Sequence, residues 1–144
     1  MNRMAGAYLY GLDEPLPGPV VEAYVTALVC VARENGIVES ESRVIHGIAD
    51  ILGAMPFTVS RALGGSTEHN LQESLGALKD HPSMRAMLYR DALLVARADG
   101  IVDSEEEATL MKMAMQLGLS RDQRSAATEA ANLLSKVRQT MAQL

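Results

Sequence analysis

The chain contains the same short sequence twice, as VARENGIVESE at residues 31–41 and as VARADGIVDSE at residues 95–105. Eight of the eleven positions are identical, and the two copies are 64 residues apart. Each copy joins the end of one helical apolar pattern to the start of another through a turn that contains glycine. Glycine readily adopts the left-handed conformation that ends a helix. The duplication therefore predicts two helix–turn–helix repeats that pack together.

The apolar residues outside the repeats also have helical spacing, and none of them alternates as in a strand. The predicted fold class is therefore all-α, a compact bundle of six to seven helices in which the two repeats are related by a pseudo-twofold axis. The first 18 residues hold three glycines and two prolines, which predicts irregular structure. We divide the single domain of residues 1–144 into an irregular lead-in (1–18), repeat one (about 19–54), a connector (55–81), repeat two (about 82–119) and a C-terminal helix (about 120–143).

Composition excludes several classes of protein. A net charge of −5 and an aromatic content of 3% argue against nucleic acid as a partner. The single cysteine cannot form an intramolecular disulfide. Apolar runs are too short for a transmembrane segment and the N-terminus lacks a signal pattern, so we expect a cytoplasmic protein. No catalytic constellation is recognisable, and we expect no enzyme activity.

Acidic residues are concentrated in the two turns, and the second turn carries more of them. Carboxylate oxygens are the ligands preferred by Ca²⁺ and Mg²⁺, which are the candidate cofactors. The candidate metal ligands of the second repeat are Asp99, Asp103, Glu105 and Glu106. The first repeat has a weaker counterpart in Asn35, Glu39 and Glu41, because an amide at position 35 replaces the charged oxygen of an aspartate.

Two other interpretations of the acidic turns remain open. Acidic side chains near a helix N-terminus interact favourably with the helix dipole and cap free N–H groups, which stabilises a helix without any ligand. The same charges could instead form an acidic surface on which a partner protein docks.

The duplicated motifs resemble the TerB-like tellurite-resistance family over roughly residues 20–125. The resemblance rests on Asp99-Gly100 with the acids that follow it and on the matching Asn35-Gly36. It extends to Leu78-Lys79-Asp80 before Pro82, to Arg97, to Leu117-Gly118 and to the Ser120–Gln123 helix cap.

This resemblance implies a compact all-helical domain with a metal-binding acidic cluster, associated with membrane-linked stress-response complexes. We interpret the chain as a non-enzymatic domain that docks protein partners through its acidic face, with a homodimer as a further candidate assembly. The alternative is a metal-independent interaction module, similar to the helical domain of some J-domain co-chaperones.

Overall fold

The computed structural model describes residues 1–33, 36–64, 67–98 and 104–144. These residues form eight α-helices and no strand, which confirms the all-α fold class with one helix more than the upper predicted number. The helices are α1 (Arg3–Tyr10), α2 (Gly18–Arg33), α3 (Glu39–Leu52), α4 (Thr58–Gly64), α5 (Thr67–Ala77), α6 (Pro82–Ala96), α7 (Ser104–Gln116) and α8 (Arg121–Met141).

The additional helix is α1, which lies in the lead-in that the sequence predicted to be irregular. Its first turn is capped by Asn2, whose Oδ1 accepts a hydrogen bond from the backbone N of Ala5 at 3.1 Å. Gly11 has a φ of 64° and ends the helix. A second glycine, Gly6, lies within the helix. The backbone N of Asn2 also donates to the carbonyl of Ile51 at 3.0 Å, which anchors α1 to α3. The lead-in prediction was therefore wrong for these residues.

A glycine follows the second helix of each repeat. Gly53 after α3 and Gly118 after α7 have φ values of 81° and 68°, in the left-handed region that ends a helix. Gly36, in the first acidic turn, has a φ of 80°. Its counterpart Gly100 lies outside the described residues.

The first helices of the two repeats form the centre of the molecule. α2 packs against α3, α4, α5, α6 and α7, while α6 packs against α2, α3, α7 and α8. α5 lies against α2 and α8 lies against α6, so each central helix has its own outer helix. The two repeats pack against each other through α2 and α6, as the duplication predicts, and the hydrophobic core contains residues of both.

The C-terminal helix α8 begins at the predicted capping box. Ser120 Oγ accepts from the backbone N of Gln123 at 3.1 Å, and Gln123 Oε1 accepts from the backbone N of Ser120 at 2.9 Å. Ala127 and Ala131 are the buried residues of α8, so its apolar stripe is largely exposed. In the described ranges, no helix combines the length and apolar character that crossing a membrane requires.

Candidate functional site

The predicted metal ligands are divided between exposed and buried positions. Glu39 is exposed and forms an ion pair with Arg43, with 2.6 Å between its Oε1 and the guanidinium Nη2. Glu105 is also exposed, whereas Glu106 is half-buried and Glu41 is buried. The other candidate ligands, Asn35, Asp99 and Asp103, lie outside the described residues.

Glu41 and Glu106 line one cavity at the junction of the two repeats. Each is the third residue of its helix, because α3 begins at Glu39 and α7 begins at Ser104. The cavity has a volume of about 20 Å³, enough for a single water-sized species. Its apolar wall comes mainly from α2 and α6, including Leu28 and Val95. The structure therefore brings together one carboxylate from each repeat, where the sequence predicted a separate cluster in each.

Both glutamates lie in the first turn of a helix, where unpaired N–H groups and the helix dipole favour negative charge. Oε1 of Glu41 accepts a hydrogen bond from the backbone N of Val38 at 3.1 Å. Glu41 therefore caps α3 as well as lining the cavity, so the capping interpretation holds for this residue.

The donor chemistry of the cavity fits a hard cation, since both lining acids present carboxylate oxygens. Calcium and magnesium take roughly six to eight oxygen ligands, which is more than two glutamates supply. Within the described ranges, no three His, Cys, Asp or Glu side chains are grouped closely enough to hold an ion. A complete ligand shell therefore requires oxygen ligands beyond these two glutamates.

A second polar cluster, which contains none of the predicted site residues, is buried between α1, α2 and α6. Asp91 Oδ2 accepts hydrogen bonds from the hydroxyls of Tyr10 at 2.7 Å and Tyr24 at 2.5 Å. Asp91 Oδ1 is 3.0 Å from both Nε and Nη2 of Arg90. Arg90 Nη1 donates to the carbonyl of Leu9, and the guanidinium lies 4.8 Å from the centroid of the Tyr10 ring. One carboxylate thus connects three helices.

The protonation states of this cluster follow from its burial. Burial raises the pKa of Tyr10 and Tyr24 well above the ordinary value, and the charge of Asp91 raises both pKa values further. Burial also raises the pKa of Asp91, although Arg90 and the two hydroxyl donors oppose that shift. Both tyrosines therefore remain neutral hydrogen-bond donors across the physiological pH range. The hydrogen-bond donors and acceptors of the cluster bond to one another, which indicates a structural role.

One feature of the sequence signals this cluster. Arg90 and Asp91 are adjacent opposite charges in α6, directly before the apolar run 92–96, and both are buried. Buried charges are generally paired, so such a dipeptide predicts a buried ion pair. The tyrosine partners give no comparable signal, because Tyr10 lies 81 residues away along the chain.

Comparison with known proteins finds a solved structure with a similar fold. No family model matches the chain, and no curated protein matches it. The structure is similar to that of a tellurite resistance protein from Nostoc punctiforme, with a TM-score of 0.80 and 17% sequence identity. The similarity covers 98% of this chain and 89% of that protein. At this level of identity the match shows a shared fold, and it agrees with the all-helical architecture that the repeats predict.

Proposed function

We propose that the chain is a non-enzymatic, TerB-like domain that binds one divalent cation, Ca²⁺ or Mg²⁺, at the junction of its two repeats. The observation that carries the proposal is the placement of Glu41 and Glu106, one from each repeat, on a single small cavity. The bound ion stabilises an acidic face on which a protein partner of a stress-response complex docks. The name of the structurally similar tellurite resistance protein supports a role in this kind of response.

The second repeat supplies most of the additional ligands in this proposal. Asp99 and Asp103 precede Glu106 in the sequence by seven and three residues, and Glu105 is adjacent to Glu106 in the first turn of α7. The first repeat has Asn35 at the position of Asp99 and therefore contributes less charge. Hard cations bind more tightly as more carboxylates converge, so substitutions in the second repeat should weaken binding more.

Binding a cation should stabilise the fold. Carboxylates brought together without an ion repel one another, and an ion that binds only the folded state shifts the unfolding equilibrium. At a concentration of one hundred times Kd this contributes about 2.7 kcal/mol to the free energy of unfolding. We therefore expect millimolar Ca²⁺ or Mg²⁺ to raise the thermal midpoint of chelator-stripped protein, as measured by calorimetry.

Substitution at the cavity provides the control for that measurement. Glu106→Gln keeps the size of the side chain but removes a charged ligand, so it should remove most of the cation-dependent rise. Glu129→Gln changes an exposed acid on α8 and should leave the rise intact. A wild-type midpoint unaffected by either ion, or an equal rise in Glu106→Gln, contradicts cation binding at this cavity.

A second candidate function is metal-independent protein docking through α8. Leu133, Val137 and Met141 are spaced four residues apart and have exposed fractions of 57%, 58% and 60%. Apolar side chains on one exposed helix face are typical of protein interfaces. A second copy of the chain is the simplest occupant, because a helix face that packs against its own copy forms a closed twofold dimer.

If α8 is an interface of this kind, the wild-type chain should sediment as a dimer at high micromolar concentration. Val137→Lys places a charge in the centre of the stripe and should yield a monomer. Ser125→Lys, at an exposed position of α8 outside the stripe, should leave the dimer unchanged. A wild-type chain that sediments as a monomer throughout excludes homodimerisation through α8.

A further inference from the structure

A groove of about 760 Å³ lies between α1, α3, α6 and α8, away from the acidic cavity. Its apolar lining includes Val44 and Ile51 of α3, Leu94 of α6 and Leu134 of α8. Each of these side chains is only half-buried by the protein itself. Small-molecule sites generally have volumes of roughly 300–1,000 Å³ and mostly apolar walls with a few polar groups. The groove has the size and the lining of such a site.

The charged groups that line the described part of the groove are four arginines and one aspartate. Arg90 and Asp91 pair with each other in the buried cluster, so their charges largely cancel. Arg43 lies at the rim of the groove, and its charge is balanced by its exposed ion pair with Glu39. These two arginine–carboxylate pairs leave two other arginines to set the charge of the groove.

The remaining two are Arg97 at the end of α6 and Arg138 on α8. Arg97 donates a hydrogen bond to the neutral side-chain oxygen of Asn132. Within the described ranges, no carboxylate pairs with either arginine. The groove therefore combines an apolar floor with excess positive charge, although the chain as a whole has a net charge of −5.

We propose that this groove binds a long-chain carboxylate, with the hydrocarbon chain on the apolar floor and the carboxylate held by Arg97 and Arg138. A guanidinium group presents a planar fork of donors that matches the two oxygens of a carboxylate. The apolar side chains between α3, α6 and α8 lose their remaining exposure to water when a hydrocarbon chain covers them. This site goes beyond the proposed cation binding and uses none of its ligands.

The geometry favours a single dissolved molecule over a membrane surface. Four helices surround the groove, so its arginines and apolar side chains face a shared concave space. A membrane is better matched by a convex amphipathic face, whose apolar residues can enter the headgroup region. A monomeric amphiphile can instead place its chain and its head group in the groove together.

Titration calorimetry with tetradecanoate, below its micelle concentration, tests the proposal on the chain of residues 1–144. Tetradecan-1-ol has the same chain without the charge, and acetate has the charge without the chain. We expect tetradecanoate to bind at least tenfold more tightly than the alcohol, and acetate to give no measurable heat. The difference between the carboxylate and the alcohol should disappear in the double variant Arg97→Gln/Arg138→Gln.

Single variants distinguish binding in the groove from attraction to positive charge elsewhere on the surface. Arg138→Gln should weaken tetradecanoate binding about ten- to hundredfold, as expected for loss of a charge-assisted hydrogen bond. Lys136→Gln removes an exposed positive charge from the same helix outside the groove and should leave the affinity unchanged. Circular dichroism of each variant establishes that it is folded before its affinity is compared.

Three results would overturn the proposal. The first is absence of tetradecanoate binding to the folded wild-type chain. The second is equal affinity for the carboxylate and the alcohol, or equal affinity in the folded Arg97→Gln/Arg138→Gln variant and the wild type. The third is binding to anionic phospholipid vesicles that depends on both arginines while tetradecanoate does not bind, which assigns the groove to a membrane surface.

Discussion

Replacing Asp91 with leucine should lower the free energy of unfolding by about 3–5 kcal/mol, the effect expected when one partner of a buried ion pair is removed. The variant leaves the Arg90 guanidinium buried without its carboxylate. It also removes the acceptor of two buried hydroxyls, those of Tyr10 and Tyr24. Because a domain of this size is stable by only about 5–15 kcal/mol, chemical denaturation should show a large shift of the midpoint.

The double variant Arg90→Leu/Asp91→Leu is the matched control. Removing both charges together leaves no unpaired ion, and buried pairs are often replaceable by apolar residues at little cost. The double variant should therefore be more stable than Asp91→Leu alone. A single variant that differs from wild type by less than about 1 kcal/mol contradicts the role of Asp91 as the buried acceptor that connects α1, α2 and α6.

Leu28→Ala should destabilise the fold by about 3–4 kcal/mol, because it removes a fully buried side chain from the central helix α2. The lost methyl groups also enlarge the cavity between the repeats, which Leu28 lines. Leu133→Ala is the control, since Leu133 is 57% exposed on α8 and its truncation should cost less than about 0.5 kcal/mol. If the two substitutions lower the denaturation midpoint equally, the hydrophobic core does not lie between α2 and α6.

Local signals in the sequence were sufficient to predict most of the helices. Pro82 begins α6, Gly53 and Gly118 follow the ends of α3 and α7, and Ser120 caps α8. These signals act within one turn of a helix and therefore need no tertiary context. The sequence did not predict α1, because the N-cap signal of Asn2 is weak and residues 1–18 contain three glycines and two prolines. Its contacts with α3 and α6 are tertiary, and they stabilise a segment of low helical preference.

The sequence named Glu41 and Glu106 among the candidate ligands, but it did not predict that they line the same cavity. The duplicated turns identify the acids as unusual, and the third residue of a helix is a familiar position for a capping glutamate. The packing of α2 against α6 places Glu41 and Glu106 on the same cavity, and that packing depends on the whole core. The sequence offset also aligned Glu41 with Glu105, whereas the observed helix starts make Glu106 its equivalent.

The stoichiometry of cation binding tests the central claim most directly. Isothermal titration of the chelator-stripped chain with Ca²⁺, and separately with Mg²⁺, measures how many ions one chain binds. A site shared by the two repeats predicts one ion per chain, and Glu41→Gln and Glu106→Gln should each weaken that same site. Two ions per chain, with each substitution affecting only one of them, would contradict the shared site, and no binding of either ion would contradict cation binding altogether.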